Sequence, residues 1–226
     1  MKTISAIVCV YNEEKTINDV VSIVCDYFFD EVIVVNDGST DNTDDILNEL
    51  SKIYDFIYIK LEENKGKGFA MATGIENATG EIIVFVDADL SDLKEDHLFE
   101  LAMPLVHKKA DMILGQATET LIDYSVNPFK SFTGERSVFK KDILPIVDKM
   151  KHSRFGVETL INLYYQSQGK KVKYVMLGGL KHPTKFDKVS KQQAIKEFVK
   201  EGHQIALTAF KNFDLITSSI KNKLKI

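Results

Sequence analysis

The stretch IIVFVDAD (residues 82–89) places two carboxylates directly after a continuous apolar run. Continuous apolar runs rich in β-branched and aromatic residues are typical of strands buried on both faces of a sheet. Two carboxylates one residue apart repel each other and favour a hard cation with oxygen ligands. The stretch therefore predicts a buried strand that ends at a metal or ligand site, with a simple structural turn as the alternative.

Similar apolar runs alternate with segments of helical periodicity along the first half of the chain. The runs are 3–10, 31–36, 56–60 and 111–114, and the helical segments are 16–26, 42–53, 68–77 and 95–105. Strands that alternate with helices imply right-handed crossovers and a mainly parallel sheet covered on both faces. The pattern predicts an α/β nucleotide-binding architecture.

The second half of the chain is less regular. The periodicity fades over 116–133, which predicts a mobile loop over a site. Residues 141–150 and 156–168 are predicted to be helical, and 171–177 to form a strand. The tail, 191–220, has apolar residues spaced by three and four, which predicts an amphipathic helix with a break at Gly202.

Composition bounds the class of protein. A chain of 226 residues with 44% hydrophobic residues can bury one compact core. Cys9 and Cys25 lie in apolar patterns without metal-ligand spacing, which predicts reduced core thiols. No run approaches the ~20 apolar residues needed to cross a bilayer, and the chain starts on a strand-like segment. These features predict a cytoplasmic protein.

Charge is distributed unevenly along the chain. Residues 181–226 carry 10 lysines and 4 acidic residues, a net charge of +6, while the rest of the chain carries −10. An acidic body argues against a groove for nucleic acid.

Polar residues follow four of the predicted strands. Ligands of such sheets bind outside the carboxyl ends of the strands, so these residues should converge on one edge. They are Tyr11-Asn12-Glu13-Glu14, the stretch 36–41, the stretch 64–68 and Asp87-Ala88-Asp89. Taken singly, Asn12 and Glu14 could cap the next helix, the stretch 37–39 could be a turn, and the glycines at 66 and 68 could belong to a plain loop.

Four motifs of this chain resemble, in their order and spacing, the motif set of the GT-A fold nucleotide-diphospho-sugar transferases, in particular of family 2 glycosyltransferases. The motifs are VCVYNEE at 8–14, VNDGSTDNT at 35–43, NKGKGFA at 64–70 and VDADL at 86–90, and the resemblance covers about residues 3–115. It implies metal-dependent transfer of a hexose from a nucleotide diphosphate sugar, with a UDP-sugar as the expected donor, to a phosphate-bearing or lipid acceptor. The implied cofactor is Mg²⁺ or Mn²⁺.

The same resemblance implies roles for individual residues. The implied donor contacts are Tyr11, Asn12, Glu14, Asp37, Ser39, Lys67 and Asp87. Of these, Glu14 and Asp37 would contact the nucleoside, Lys67 the base or phosphates, and Asp87 the ribose side. Asp89 would bind the divalent metal that bridges the diphosphate, and so take part in catalysis.

Motifs of the second half are similar to those of glucosyl-3-phosphoglycerate synthases and, more loosely, of polyprenyl-phosphate glycosyltransferases. They are GERSVFKKDIL at 134–144, FGVETL at 155–160 and LGGLKHP at 177–183. The similarity implies Glu158 as the catalytic residue beside sugar and acceptor, and His182 as a second metal ligand. A helix-starting glutamate and a surface histidine are the alternatives.

Gly134 and Arg136 are the predicted acceptor contacts. A guanidinium fork matches the geometry of a phosphate, although Arg136 could equally form a surface salt bridge. The expected organisation is a GT-A domain over 1–189, with a nucleotide-sugar binding half at 1–115 and an acceptor half at 116–189, followed by a helical extension at 190–226.

Several functions remain open at this point. A retaining enzyme like the glucosyl-3-phosphoglycerate synthases would use a small soluble acceptor, whereas an inverting enzyme needs a general base, for which Glu158 is the candidate. A sugar nucleotidyltransferase would carry a glycine-rich, arginine-containing loop where Tyr11 to Glu14 stand. A non-catalytic nucleotide-sugar-binding protein is the third class.

The tail also admits alternatives. Its apolar stripe is predicted to pack on the domain or to form the seam of a homodimer. Lysines at 221, 223 and 225 instead suit peripheral docking on the inner, anionic face of a membrane.

Overall fold

The computed structural model describes residues 2–117, 133–181 and 202–224. The strands are β1 (Ile4–Val10), β2 (Glu31–Asn36), β3 (Ile57–Lys60), β4 (Ile82–Asp87), β5 (Met112–Ala117), β6 (Arg136–Phe139) and β7 (Val172–Leu177). The helices are α1 (Ile17–Asp26), α2 (Thr43–Leu50), α3 (Lys67–Asn77), α4 (Glu95–Val106), α5 (Lys140–Ile143), α6 (Val147–Lys151), α7 (Val157–Ser167) and α8 (Phe213–Leu224). Residues 202–211 are helical as well.

All seven strands form one sheet in the order β3-β2-β1-β4-β6-β5-β7. β1 is an inner strand beside the central β4, with Ala6 opposite Val32 of β2 on one side and Val84 of β4 on the other, and both pairings are parallel. β6 alone is reversed, and its Ser137 stands opposite Val84 of β4 and Ile113 of β5. The predicted mainly parallel α/β sheet is therefore confirmed.

Two apolar layers cover the two faces of the sheet. On one face Val8 and Val84 lie in one cluster with Leu98 of α4. On the other, Ile7 and Phe85 share a cluster with α3 and α7. Successive strand residues alternate between these layers, which explains why the predicted strands have no polar face. Cys9 and Cys25 each pack against one layer, and both are free thiols, as predicted.

The structure corrects three predicted elements. β6 was not expected, because its four residues include the polar Arg136 and Ser137, yet all four are buried. The helix predicted over 141–150 is divided by a 3₁₀ turn, Leu144–Ile146, since Pro145 cannot donate the hydrogen bond that would continue it. β5 extends to Ala117, beyond its predicted end and into the loop predicted over 116–133, of which residues 118–132 lie outside the described residues.

The described part of the tail packs back on the domain, which is one of the two arrangements predicted for its apolar stripe. Leu215 of α8 packs against the layer that contains α7, and Asn222 Nδ2 donates to the Ser167 carbonyl at 2.5 Å. Nearer its start, Gln204 Oε1 accepts the Phe155 N–H. A turn at Asn212 separates the two helical parts, whereas the predicted break at Gly202 lies at the edge of the described segment.

Candidate active site

The loops after β1 and β2 are joined by side-chain hydrogen bonds. Asn12 Oδ1 accepts the Thr40 N–H at 2.8 Å, and Ser39 Oγ accepts the Asn12 N–H at 3.0 Å. Asn12 adopts a φ of 56°, a left-handed conformation that asparagine tolerates better than most residues. Tyr11 beside it is exposed. These contacts join the loops at the carboxyl ends of β1 and β2 into one continuous surface.

Glu14 strengthens this junction. Its Oε2 accepts both the Asn42 N–H at 3.1 Å and the Asn42 side-chain amide at 2.8 Å. Helix α1 has Thr16 as its N-cap, without a side-chain capping hydrogen bond. The interpretation of Asn12 and Glu14 as caps of the next helix is therefore wrong, and their contacts with a nucleoside stay predictions.

Asp37 fixes the loop before α3. It is buried, and its Oδ1 and Oδ2 accept the N–H groups of Lys65 and Gly66, each at 2.8 Å. Burial raises the pKa of Asp37, while the two donated hydrogen bonds act in the opposite direction. Gly66 has a φ of 96° and serves as the N-cap of α3. Asp37 thus positions the first residue of that helix, Lys67.

Lys67 joins two of the predicted site residues. Its Nζ lies 2.8 Å from Asp87 Oδ1 and 3.0 Å from Oδ2, and also 2.8 Å from Glu158 Oε1. Burial alone would lower the pKa of Lys67, but the two carboxylates outweigh it and hold the pKa well above its usual value. The cation is therefore a fixed charge between β4 and α7.

Asp87 is surrounded by other carboxylates. Burial raises its pKa to about 6, and the effect of Lys67 in lowering it is opposed by Glu135, Asp89 and Glu158. This concentration of negative charge at the end of a strand is the arrangement that attracts cations. Asp87 is the residue at which the charges of this site converge.

Residues that precede β6 also reach Asp87. A Cβ atom added to Gly134 would lie 1.9 Å from Asp87 Oδ2, so only glycine fits without displacement. Glu135 is fully buried and accepts the Thr133 hydroxyl at 2.5 Å. Sequence reasoning missed Glu135, although its position between Gly134 and Arg136 was a usable signal.

Arg136 lies beneath the site. It is fully buried, and its guanidinium donates to Asn162 Oδ1 at 3.4 Å and to the Thr133 carbonyl. Burial lowers its pKa, against the opposing effect of Glu158 and Asp87. The surface salt bridge considered for Arg136 is thus wrong. As placed, the side chain is closed to an acceptor, and a direct contact with one stays a prediction.

The metal-binding residues predicted from the sequence are only partly covered. Asp89 is half-buried, and the preceding Ala88 carbonyl accepts the Thr16 hydroxyl at 2.7 Å. His182 lies outside the described residues, which end here at Lys181. Lys181 pairs with Ser91 through two backbone hydrogen bonds of 3.0 and 3.1 Å. The chain leading to His182 is therefore fastened two residues beyond Asp89.

His97 supports the same junction and was missed from the sequence. It is buried, its Nδ1 accepts the Lys94 N–H at 3.2 Å, and its Nε2 lies 2.9 Å from the Gly178 carbonyl. Because Nδ1 is the acceptor, Nε2 carries the proton and donates it. His97 thus links α4 to the loop after β7. A histidine in the first turn of an amphipathic helix was the only sequence signal.

The described segments contain no cluster of three histidine, cysteine or acidic side chains that could hold a metal ion by themselves. The carboxylate of Asp89 is a hard oxygen donor of the kind that Mg²⁺ and Mn²⁺ prefer, and its role as a metal ligand stays a prediction. None of the described helices is long and apolar enough to cross a membrane.

Comparison with solved structures shows the same fold. Glucosyl-3-phosphoglycerate synthase from Mycobacterium tuberculosis, in complex with Mn²⁺, UDP and glucosyl-3-phosphoglycerate, matches with a TM-score of 0.72 and 20% identity over 93% of this chain and 79% of that one. Its complex with Mg²⁺ and UDP matches with a TM-score of 0.65 and 21% identity over 88% and 79%. The predicted GT-A fold is confirmed.

Curated relatives match over a shorter stretch. Poly-beta-1,6-N-acetyl-D-glucosamine synthase from Staphylococcus epidermidis is 42% identical over 88 residues, which are 38% of this chain and 21% of that protein. The synthase of Staphylococcus aureus (strain COL) is 36% identical over 91 residues, or 39% and 22%. The matched stretch spans about a fifth of these relatives. The family model described as "Glycosyl transferase family 2" matches residues 5–160, well over half of the chain, and the protein therefore belongs to glycosyl transferase family 2.

Proposed function

We propose that this glycosyltransferase transfers a hexose from a UDP-sugar to a phosphate-bearing or lipid acceptor with the help of a divalent metal. The observation that carries the proposal is the junction of Lys67 with Asp87 and Glu158 at the carboxyl ends of the strands. In open α/β sheets this edge is where nucleotides bind. The solved synthase of the same fold, crystallised with Mn²⁺ and UDP, supports the choice of donor.

The metal would be held by Asp89 and His182. When bound, a divalent cation stabilises the negative charge that develops on the departing diphosphate. The pairing of Ser91 with Lys181 supports this ligand pair. Lys181 directly precedes His182, and Ser91 lies two residues after Asp89. A carboxylate and an imidazole are both ligands that Mn²⁺ accepts.

Side chains of the protein would place the charges and accept the proton in this reaction. Lys67 is a positive charge at the donor edge and orients the carboxylates of Asp87 and Glu158 on either side of it. Preorganised charges of this kind favour a transition state without further rearrangement. Glu158 then takes the proton of the acceptor hydroxyl in an inverting reaction. In a retaining reaction the leaving phosphate takes it, and Glu158 orients the sugar.

Two acceptor classes follow from different observations. A small phosphorylated acceptor is supported by the fold shared with an enzyme that was crystallised with phosphoglyceric acid. A lipid acceptor is supported by exposed aromatic residues on the tail, where Phe210 is 80% and Phe213 61% exposed. Such side chains suit docking on the cytoplasmic face of a membrane, whereas pairing of two copies through them would make a homodimer.

Release of nucleotide diphosphate tests the donor and the metal. The protein is incubated with UDP-glucose, UDP-N-acetylglucosamine and GDP-mannose, with and without Mn²⁺ or Mg²⁺. We expect release from a UDP-sugar only when metal is present, and loss of release in Asp89→Ala and in His182→Ala. Asp55→Ala, at an exposed position before β3, is the control and should behave like the wild type.

Acceptors are then compared in the same assay. Addition of 3-phosphoglycerate, polyprenyl phosphate or diacylglycerol should stimulate release with one class only. Pelleting of the protein with anionic vesicles tests the lipid class of acceptor. The double variant Phe210→Ser/Phe213→Ser should no longer pellet with these vesicles. Release that is independent of metal, or an active Asp89→Ala, would refute the proposed metal site. Binding of a UDP-sugar without turnover with any acceptor would favour a binding protein.

A further inference from the structure

A cavity of about 360 Å³ lies at the edge of the sheet opposite the candidate active site. It is bounded by residues that precede β1, β5 and β7 and by the end of the reversed strand β6. Five lysines line it, and we call it the lysine pocket: Lys2, Lys108, Lys141, Lys170 and Lys171. These lysines come from four separate places in the sequence, since only Lys170 and Lys171 are neighbours, so their convergence is a property of the tertiary structure.

The positive charge of the lysine pocket is only partly compensated. Asp142 Oδ2 lies 3.1 Å from Lys170 Nζ, and Glu81 Oε2 lies 3.8 Å from Lys2 Nζ. Asp111 Oδ2 accepts the backbone N–H of Lys171. Within the described ranges, the side chains of Lys108, Lys141 and Lys171 form no ion pair with a carboxylate. The pocket therefore keeps a surplus of ammonium groups.

An aromatic ring holds two of these groups in place. Lys2 Nζ lies 4.0 Å and Lys141 Nζ 5.9 Å from the centroid of the Phe139 ring, which is itself buried. A ring face attracts ammonium groups within about 6 Å. Phe139 thus draws two cations from distant parts of the sequence to one side of the pocket, which reduces the entropy that a bound anion would have to remove.

The tail contacts the chain segment that leads to the lysine pocket. The hydrogen bond from Asn222 to the Ser167 carbonyl sets the end of α8 beside the turn that leads to Lys170. Lys221, the residue before Asn222, is exposed.

The body of the protein nevertheless carries a net charge of −10, concentrated in part at the proposed donor edge. Gathering like charges in one pocket is unfavourable unless an anion offsets them.

We propose that the lysine pocket is a second ligand site, which binds a phosphate-bearing anion separately from the sugar donor. Lysine ammonium groups bind phosphate as point charges, and a volume of about 360 Å³ lies within the range of small-ligand sites. The anion is either a soluble phosphorylated molecule or the headgroup of an anionic phospholipid. Both sources present the same chemistry to the five lysines.

Binding of tripolyphosphate to the full chain tests the soluble source, measured by calorimetry with EDTA present so that the metal-dependent donor site takes no part. Vesicles of phosphatidylglycerol test the lipid source, with phosphatidylcholine vesicles for comparison. The variant Lys108→Gln/Lys141→Gln/Lys171→Gln should weaken binding to the responding probe by about tenfold or more, the loss expected from one charge-assisted contact. Lys141→Glu alone should act in the same direction.

A second triple variant separates a site from a general effect of charge. Lys52→Gln/Lys60→Gln/Lys149→Gln removes the same charge from three exposed lysines away from the pocket and the tail, and it should bind like the wild type. Asp89→Ala should also bind normally, since the donor site is not involved. Equal losses in both triple variants, or binding of neither probe by the wild type, would overturn the proposal. Circular dichroism checks that each variant is folded.

Discussion

Lys67 Nζ donates to Glu158 Oε1 at 2.8 Å, a contact between residues 91 positions apart in the sequence. Lys67 begins α3, and Glu158 lies in the first turn of α7. The same ammonium group contacts both oxygens of Asp87 at the end of β4. The distance between Asp87 and Glu158 is thus set by a cation that belongs to neither element.

Replacement of Lys67 by methionine should therefore disable the enzyme. The variant leaves Asp87 and Glu158 close together without their shared cation, so the carboxylates repel each other and move apart. We expect transfer from the UDP-sugar to fall about 100-fold or more, as when one preorganised charge is removed. Lys65→Met is the control, because Lys65 binds Asp37 through its backbone N–H and its side chain is exposed. Equal activities of the two variants would contradict this role of Lys67.

Ionisation of Asp87 should make the wild type less stable near neutral pH. Its folded-state pKa of about 6 lies above the ordinary value of 3.8. A raised pKa means that the folded protein binds its proton more tightly, so the stabilisation is complete below pH 3.8 and is lost as pH rises through 6. Asp87→Asn has no such loss. Relative to the wild type, its free energy of unfolding should gain on the order of 2 kcal/mol between pH 4 and pH 7.5.

Urea titrations at several pH values measure this difference. Asp45→Asn, at an exposed position on α2, should show a constant difference from the wild type over the same range. A constant difference for Asp87→Asn as well would mean that Asp87 ionises like an ordinary surface carboxylate. Asp87→Asn should also have little activity, since it weakens the contact with Lys67.

Gly134→Ala should impair activity more than folding. The added Cβ would lie 1.9 Å from Asp87 Oδ2, so the Asp87 side chain must leave its place beside Lys67. We expect turnover to fall at least tenfold, the effect of about 1.4 kcal/mol on the activation free energy. Gly178→Ala is matched in chemistry, but its added Cβ meets no atom within 4 Å and should change little. Steady-state kinetics measure the turnover of both variants, and equal turnover would contradict this role of Gly134.

His97→Leu should weaken the response to metal. The substitution removes the acceptor for the Lys94 N–H and the donor for the Gly178 carbonyl, at a cost of about 1–3 kcal/mol in stability for each group left without a partner. The loop that precedes Lys181 then loses an anchor, so more Mn²⁺ should be needed for half-maximal activity. His107→Leu, at the exposed end of the same helix, should alter neither property. An unchanged metal requirement in a destabilised His97→Leu would leave His97 a purely structural residue.

Most of the first half could be predicted from the sequence, because local pattern and tertiary environment agree there. β4 is apolar over its length and buried on both faces, so its carboxyl end and Asp87 are found by reading along the chain. Lys67 and Glu158 were named through their resemblance to known motifs. Their shared contact with Asp87 depends on how α3 and α7 pack, which the local sequence does not encode.

β6 and its neighbours were harder to predict for a related reason. Arg136 is polar yet fully buried, and its burial depends on partners from other segments, such as Asn162. A four-residue strand with two polar residues has no periodicity of its own. His97 was missed similarly, since its partner Gly178 is 81 positions away.

The reversal of β6 has a consequence for how such an enzyme can change its acceptor. Because β5 ends and β6 begins at the same edge of the sheet, residues 117 and 133 both stand on the side of Asp87. Any chain that joins these two residues therefore starts and ends on the side of Asp87. With the donor proposed at this edge, the sheet holds both attachment points in place, and the length and sequence between them are where we expect acceptor specificity to diverge among such enzymes.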